Sequence, residues 1–429
     1  MLLLVSSGNL IGQDRAAEPE QQEGQEAGAE KPEGFWEHAV AFLFKHHERT
    51  FFGRPHTVNV LPITYYHFRT SLNLGFRAVI QSKARQPYLY RLKFQVRASL
   101  KGSQKHKAVF DYPRIIGSRF GLRMRAEWER DLQARYFGLG NDSIRNTDLI
   151  NKGSEKYIDD EYYLYNFKRP RINVHVTREF LRNVFLWVGA GAEYARPQLK
   201  DGPEMSFIGQ DRPFGFLGGS GWFLSFRLHW DTRDNDVFPN KGFITSFSFQ
   251  PNFAKVDDIS ETSDGLENVS RSLAYQRYTF SSAHFISLRS GRLLFANRVA
   301  FESISGDAPY YAFGDLAGEK LTRVVGGSQS LRGFKSRRFQ DKVRFITLTE
   351  LRFKYTRFKV MSSSFDVIFL GFFDNGRVWP SFSDITIDNF HSSFGFGVWL
   401  NWNESFIIRL EVGKSAEGWL PLFRFGSSF

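Results

Sequence analysis

The feature that most constrains this chain is a two-residue alternation of apolar and polar side chains that recurs along most of its length. In the last segment, Phe423, Phe425 and Phe429 occupy alternate positions, and the chain stops on the final Phe. Such alternation predicts strands with one apolar and one polar face. The pattern predicts sixteen strands near residues 58–66, 71–81, 88–101, 104–112, 119–130, 160–178, 184–196, 221–231, 241–253, 270–287, 292–303, 343–356, 365–378, 392–402, 405–414 and 419–429.

The composition favours a membrane barrel over a soluble sandwich. The chain has 46 Phe and 17% aromatic residues, yet its mean hydropathy is negative. No stretch approaches the roughly 18 apolar residues of a spanning helix. A barrel that faces lipid with every second residue explains both observations, and its closure removes strand edges from the hydrocarbon. We therefore predict an all-β fold, a 16-stranded antiparallel transmembrane β-barrel of the outer membrane of a Gram-negative bacterium.

The first 56 residues differ in composition from the rest. Residues 1–13 are predicted to be the remnant of a secretion signal. Residues 14–33 carry seven acidic and two basic side chains, which predicts a disordered tether. Apolar residues at helical spacing over 35–47 predict a short amphipathic helix within a helix-and-linker segment at 34–56. The barrel is predicted to occupy 57–429.

Composition and motifs also exclude several functions. The chain has no cysteine, so disulfides and thiolate chemistry are excluded. The net charge of +12 is dispersed along strands and turns, which favours lumen and rim charges near lipid headgroups over nucleic-acid binding. No G-x-S-x-G or H-E-x-x-H motif occurs, so we predict no enzyme, no catalytic residues, no metal and no cofactor.

Two segments resemble a known family. The long loop at 304–342 contains VVGGSQSLRGF at 324–334, and the turn at 231–242 reads DTRDNDVFPNKG. Together with YFGLGND at 136–142, TELRF at 349–353 and FFDNGRVW at 372–379, they resemble the outer-membrane assembly and translocation superfamily, also called the surface-antigen family. The resemblance runs from about Val58 to Phe429.

The resemblance implies a sixth external loop that folds into the barrel. It implies that Arg332, followed by Gly333 and Phe334, meets Glu350 and Asp374 in the lumen. The strand pattern places Glu350 on a polar face, and Asp374 lies opposite the apolar face of its strand. The alternative is that these are unrelated, solvated lumen charges.

The 231–242 segment is interpreted as a structural periplasmic turn. Asp231, Arg233 and Asp234 end a strand, and Pro239 and Gly242 shape the turn that follows. A metal site made from the aspartates is the weaker alternative.

The first and last strands form the predicted seam of the barrel. Pro62 cannot donate a ladder hydrogen bond, and Pro421 and Gly426 weaken pairing near the terminal Phe429. The resemblance implies that members of the family open between these strands. The alternative is that either proline merely starts its strand.

Three functions remain open at this stage. The resemblance implies a factor that inserts or translocates outer-membrane proteins, with lipids, unfolded barrel substrates and further protein subunits as partners. The family usually carries POTRA modules before the barrel, and none fits the 55 or so residues that precede the first strand, so we expect partners to supply them. A passive channel and an anchoring barrel of a larger complex are the alternatives.

Overall fold

The computed structural model describes residues 47–51, 53–67, 70–82, 88–115, 119–199, 205–236, 238–262, 265–288, 291–318, 322–360, 363–402 and 406–426. All of these belong to one compact unit, Leu43–Phe429. The predicted signal remnant, tether and amphipathic helix, and the terminal Phe429, lie outside the described residues, except that His47 begins a strand.

Strands make up nearly all of the regular structure. They are β1 (His47–Phe51), β2 (Arg54–His67), β3 (Ser71–Ser82), β4 (Arg91–Ser99), β5 (Gln104–Tyr112), β6 (Phe120–Arg135), β7 (Leu164–Lys168), β8 (Arg171–Leu181), β9 (Val184–Gln198), β10 (Gly218–Asp231), β11 (Gly242–Thr262), β12 (Gly265–Leu288), β13 (Leu293–Gly306), β14 (Asp315–Leu316), β15 (Thr322–Arg323), β16 (Val343–Val360), β17 (Ser363–Trp379), β18 (His391–Trp402), β19 (Phe406–Ser415) and β20 (Gly418–Phe425).

Helix is nearly absent from the described residues. The one α-helix among them, α1 (Phe207–Asp211), is five residues long. No described helix is long and apolar enough to cross a membrane.

Eighteen strands form one antiparallel sheet in which most strands pair with the next one in the chain. β6 pairs with both β7 and β8, and both also pair with β9. β13 pairs with β16, so the intervening residues 307–342 form a long loop, here called loop 6. Within loop 6, β14 and β15 form a separate two-stranded sheet. The sheet curls into a barrel whose interior loop 6 enters.

The sheet has two more strands than the sixteen predicted. β1 lies in the segment predicted as helix and linker, so the sheet begins at His47 and not at residue 57. The predicted strand at 160–178 is two strands, β7 and β8, and it starts later, at Leu164. Arg169 and Pro170 separate them, because proline has no N–H to donate to a ladder.

The two faces of the strands agree with the alternation in the sequence. On β10, Trp222, Leu228 and Trp230 are exposed on the outer face, and Ser225 and Arg227 are buried inside. Neighbouring outer faces carry aromatic pairs, such as Trp222 with Phe253 at 4.3 Å between ring centroids. The exposed apolar band and the polar interior are what a lipid-facing barrel requires.

Candidate functional site

Loop 6 reaches the barrel interior through Arg332, which is almost fully buried. Its Nε and Nη2 donate to the two carboxylate oxygens of Asp374 on β17, at 2.8 and 2.7 Å. Its Nη1 donates to Glu350 Oε1 on β16 at 2.6 Å. A guanidinium that binds one carboxylate with two parallel hydrogen bonds is held in both position and orientation. The structure therefore brings together the three charged residues that the resemblance implied.

A third carboxylate, Glu411 on β19, completes the charge balance. Its Oε1 lies 3.4 Å from Arg332 Nη1 and accepts a hydrogen bond from Trp399 Nε1 at 2.8 Å. Arg409 pairs with Glu411 at 2.6 Å, and Arg352 pairs with Glu350 at 2.6 Å. Three guanidiniums thus face three carboxylates in a water-poor interior, where unpaired charge would be costly. We call this cluster the lock: Arg332, Arg352, Arg409, Glu350, Asp374 and Glu411.

Small residues allow the loop to approach the barrel wall this closely. Gly333 has φ +111°, and a Cβ there would lie 3.1 Å from the backbone carbon of Lys414. A Cβ at Gly413 on β19 would lie 2.7 Å from the backbone carbonyl of Arg332. Phe334 is buried and packs edge-to-face on Phe339 of the same loop. Glycine on both sides of the contact therefore lets backbone meet backbone.

The root of loop 6 has a second ionic anchor, which the sequence analysis missed. Asp315 accepts hydrogen bonds from Arg169 at 2.6 Å and from Arg337 at 2.9 Å. Burial alone would raise the pKa of Asp315, but the guanidiniums of Arg337 and Arg169 lower it to about 2. Nearby, Glu302 on β13 binds both Arg277 and Arg344. Loop 6 is thus attached at its root as well as at its tip.

The turn between β10 and β11 is organised by its own aspartates. Arg233 binds Asp231 with two hydrogen bonds of 2.8 Å, and Asp234 accepts the backbone N–H of Asn240 at 2.8 Å. Pro239 is buried, and Gly242 has φ +96° with Thr232 O only 2.4 Å from where a Cβ would stand. The five predicted turn residues thus make a closed turn. No group of three or more His, Asp or Glu among the described residues could hold a metal ion.

The two edges of the sheet show no ladder with one another in the described part of the chain. β20 pairs with β19, and β2 pairs with β1 and β3. Pro62 and Pro421 lie inside β2 and β20, not at their starts. Gly426 follows β20 with φ +93° and donates its N–H to Ile407 O at 2.7 Å.

Side chains join the edges in place of a ladder. Leu61 on the inner face of β2 packs in a buried cluster with Phe365, Trp402 and Phe406. Trp402 shares a strand face with exposed Phe394 and Phe396, so the sequence predicts that it faces lipid, yet it is 8% exposed. The beginning of the sheet therefore overlaps the outer face of its end at this level. We call these four residues the seam cluster.

A family model described as the Omp85 superfamily domain matches residues 51–414. The chain belongs to the Omp85 superfamily. This is a family of membrane-protein insertion and translocation, and membership indicates the bacterial outer membrane.

Two solved structures are similar to this Omp85 protein. BamA from Haemophilus ducreyi lacking POTRA domains 1–3 is 11% identical over 89% of this chain and 74% of that chain, with a TM-score of 0.47. The beta domain of the Bordetella autotransporter BrkA is 10% identical over 62% of this chain and 93% of that chain, with a TM-score of 0.30. No curated protein sequence matches the chain.

The sequence of this Omp85 protein gives a partial indication of the lock residues that the sequence analysis did not identify. Arg409 and Glu411 alternate with Ile408 and Leu410, which marks them as a polar pair on the inner face of β19. Nothing local shows that this pair reaches Arg332, because that contact depends on the course of loop 6. Asp315 and the seam cluster join segments far apart in the chain, and no short motif marks either.

Proposed function

We propose that this Omp85 protein inserts or translocates outer-membrane proteins of a Gram-negative bacterium through its seam. The observation that carries the proposal is that Leu61 of β2 packs on side chains of β17, β18 and β19, while no described ladder joins β2 to β20. An edge without a ladder partner offers free N–H and C=O groups to an incoming strand by β-augmentation. Pro62 lies in β2 beyond the residues paired with β1, and Pro421 lies in β20, so both lower the number of hydrogen bonds that closure could form.

The lock supports this reading over a passive channel. Loop 6 occupies the interior, and the six lock residues, Arg332 from the loop and five from the wall, are almost entirely buried, so the lumen is filled at their level. An open pore has a water-filled lumen, in which charged side chains are exposed to water and not buried. A barrel whose lumen is filled and whose first and last strands are weakly joined is better suited to passing a polypeptide sideways through its wall than to conducting solutes along its axis. Catalysis forms no part of the proposal, and its partners are lipid, unfolded barrel proteins and further subunits.

Cysteine cross-linking tests the proposal, because the chain has no native cysteine. The seam pair is Leu61→Cys on β2 with Phe406→Cys on β19, two positions that lie in the seam cluster. The matched control is Trp402→Cys with Phe406→Cys, which are register partners within one hairpin. Each protein is reconstituted in liposomes, and the folding of a urea-unfolded barrel substrate is followed by its heat-modifiable gel mobility.

The expected result is insertion above the empty-liposome rate, lost when the seam pair is cross-linked and restored on reduction. The hairpin pair should insert equally well in both states. A seam-locked protein that inserts at its reduced rate would contradict lateral insertion. Large, steady conductance that ignores the seam cross-link would instead favour a passive channel, and an inactive but well-folded protein would favour an anchor.

A further inference from the structure

The turn between β10 and β11 does more than reverse the chain, because its tip enters the barrel interior. Phe238 is 4% exposed and packs among inner-face residues of the last strands. Its cluster partners are Ile368, Leu370, Phe372, Trp399 and Ile407. An apolar side chain at the tip of a polar turn would be exposed if the turn pointed to solvent. The turn therefore folds under the lumen toward β17, β18 and β19.

The same turn also contacts the opposite wall. Asp236 lies 3.3 Å from Arg91 at the start of β4. Asn240, on the far side of Phe238, accepts a hydrogen bond from Lys354 of β16. One short turn thus joins a strand near the beginning of the sheet to strands near its end, and these two walls flank the seam.

The turn and loop 6 meet at shared side chains. The Arg352 guanidinium, which pairs with Glu350 in the lock, lies 5.7 Å from the Phe238 ring centroid and 4.5 Å from that of Trp399. Phe372 packs in the Phe238 cluster and also carries the Arg332 guanidinium 3.7 Å above its ring. Phe238 therefore covers the lock from the end of the barrel opposite to loop 6.

We propose that the β10–β11 turn is a clamp that closes the inner end of the lumen through Phe238 and holds the two seam-flanking walls together through Asp236 and Arg91. Phe238 and Asp236 are positioning residues, acting through the walls they contact. Opening the seam then requires the clamp to release one wall. This inference rests on the proposed function for its effect on insertion, but not for its effect on closure.

Conductance in planar bilayers tests closure alone. In the Arg332→Gln background, where the lock no longer holds loop 6 in the lumen, adding Phe238→Ala should raise the mean ion conductance several-fold, because an apolar constriction that excludes water is lost. The matched control is Phe373→Ala, which removes the same side chain from the exposed outer face of β17. Equal conductance for the two variants would overturn the clamp. Asp236→Asn, at a side chain that is half exposed and so well tolerated in folding, should give a smaller rise in conductance.

Cross-linking tests the link between the walls. Asp236→Cys with Arg91→Cys, joined by a short cleavable thiol cross-linker, should slow substrate insertion several-fold, with recovery on cleavage. The control pair, Leu181→Cys with Val184→Cys, joins register partners at the β8–β9 turn and should leave insertion unchanged. An unchanged rate for the cross-linked 236–91 pair would overturn the clamp. If the unsubstituted protein inserts nothing while Phe238→Ala still conducts more than its control, the proposed function fails and the closure holds.

Discussion

The lock and the seam cluster both join distant parts of the barrel, and they are built from opposite chemistry. In the lock, every guanidinium has a carboxylate, and short directional hydrogen bonds hold loop 6 in one orientation. In the seam cluster, Leu61 of β2 packs on three apolar side chains of the last strands, and no described ladder joins β2 to those strands. Buried charge pairs are costly to separate, whereas apolar contacts slide and re-form. The contrast fits the proposed function, which needs a fixed joint inside the barrel and an edge held only by apolar contacts.

Breaking the lock should have the largest effect. Arg332→Gln leaves Asp374 buried without its cation and Glu350 with Arg352 alone, which should lower the free energy of unfolding by roughly 3–5 kcal/mol. Urea unfolding in lipid vesicles, followed by gel mobility, measures the change. Arg114→Gln, which removes a largely exposed guanidinium 3.9 Å from Glu179, is the control and should cost at most about 1 kcal/mol. Similar losses for both variants would contradict a stabilising lock.

Truncating a side chain of the seam cluster should lower the free energy of unfolding less than breaking the lock does. It should also make the seam more accessible to chemical labelling. Leu61→Ala should lower the free energy of unfolding by about 2–3 kcal/mol, because it leaves a cavity beside Trp402. Labelling of Phe406→Cys by a membrane-soluble maleimide should become faster in the same background. A truncation that destabilises the protein without faster labelling would mean that Leu61 does not cover the seam.

Acid should loosen the root of loop 6 only at very low pH. The folded pKa of Asp315, about 2, lies below an unfolded value of about 3.9, so its stabilisation is complete well above pH 4 and is lost as pH falls through 2. The loss should reach about 2 kcal/mol, seen as an increase in cleavage by pepsin. Asp315→Asn should lack this part of the pH dependence. A variant with the same acid profile as the unsubstituted protein would contradict it.

Restoring hydrogen-bond donors to the seam should have the smallest effect on stability. Pro421→Val adds an N–H to β20 and should change the free energy of unfolding by less than about 1 kcal/mol. Pro421→Val should instead slow the insertion of the substrate. Val412→Pro places a proline at the register partner of Pro421 in β19. It should lower the free energy of unfolding by more than Pro421→Val changes it. Faster insertion by Pro421→Val would contradict a seam that works by weak pairing.

The sequence predicted most strands of the barrel wall and many of the polar residues that face its interior. Alternation located most strands within a few residues, and the inner-face positions of Arg344, Glu350 and Arg352 follow from it. The family motif pointed to Arg332 and its two carboxylates. It did not point to Glu411, because a third partner depends on how far loop 6 reaches across β19. Alternation places Trp402 on the same face as Phe394 and Phe396, but it does not show that another strand covers Trp402 there.

Sequence alone determined which side of each strand is apolar, since successive residues of any strand point to opposite faces whatever lies beside it. Tertiary structure decided which charges meet Arg332, that Phe238 turns inward, and that the edges of the sheet overlap. These contacts join segments that are tens to hundreds of residues apart. They depend on sheet curvature and on the paths of two loops, which only the folded barrel as a whole determines.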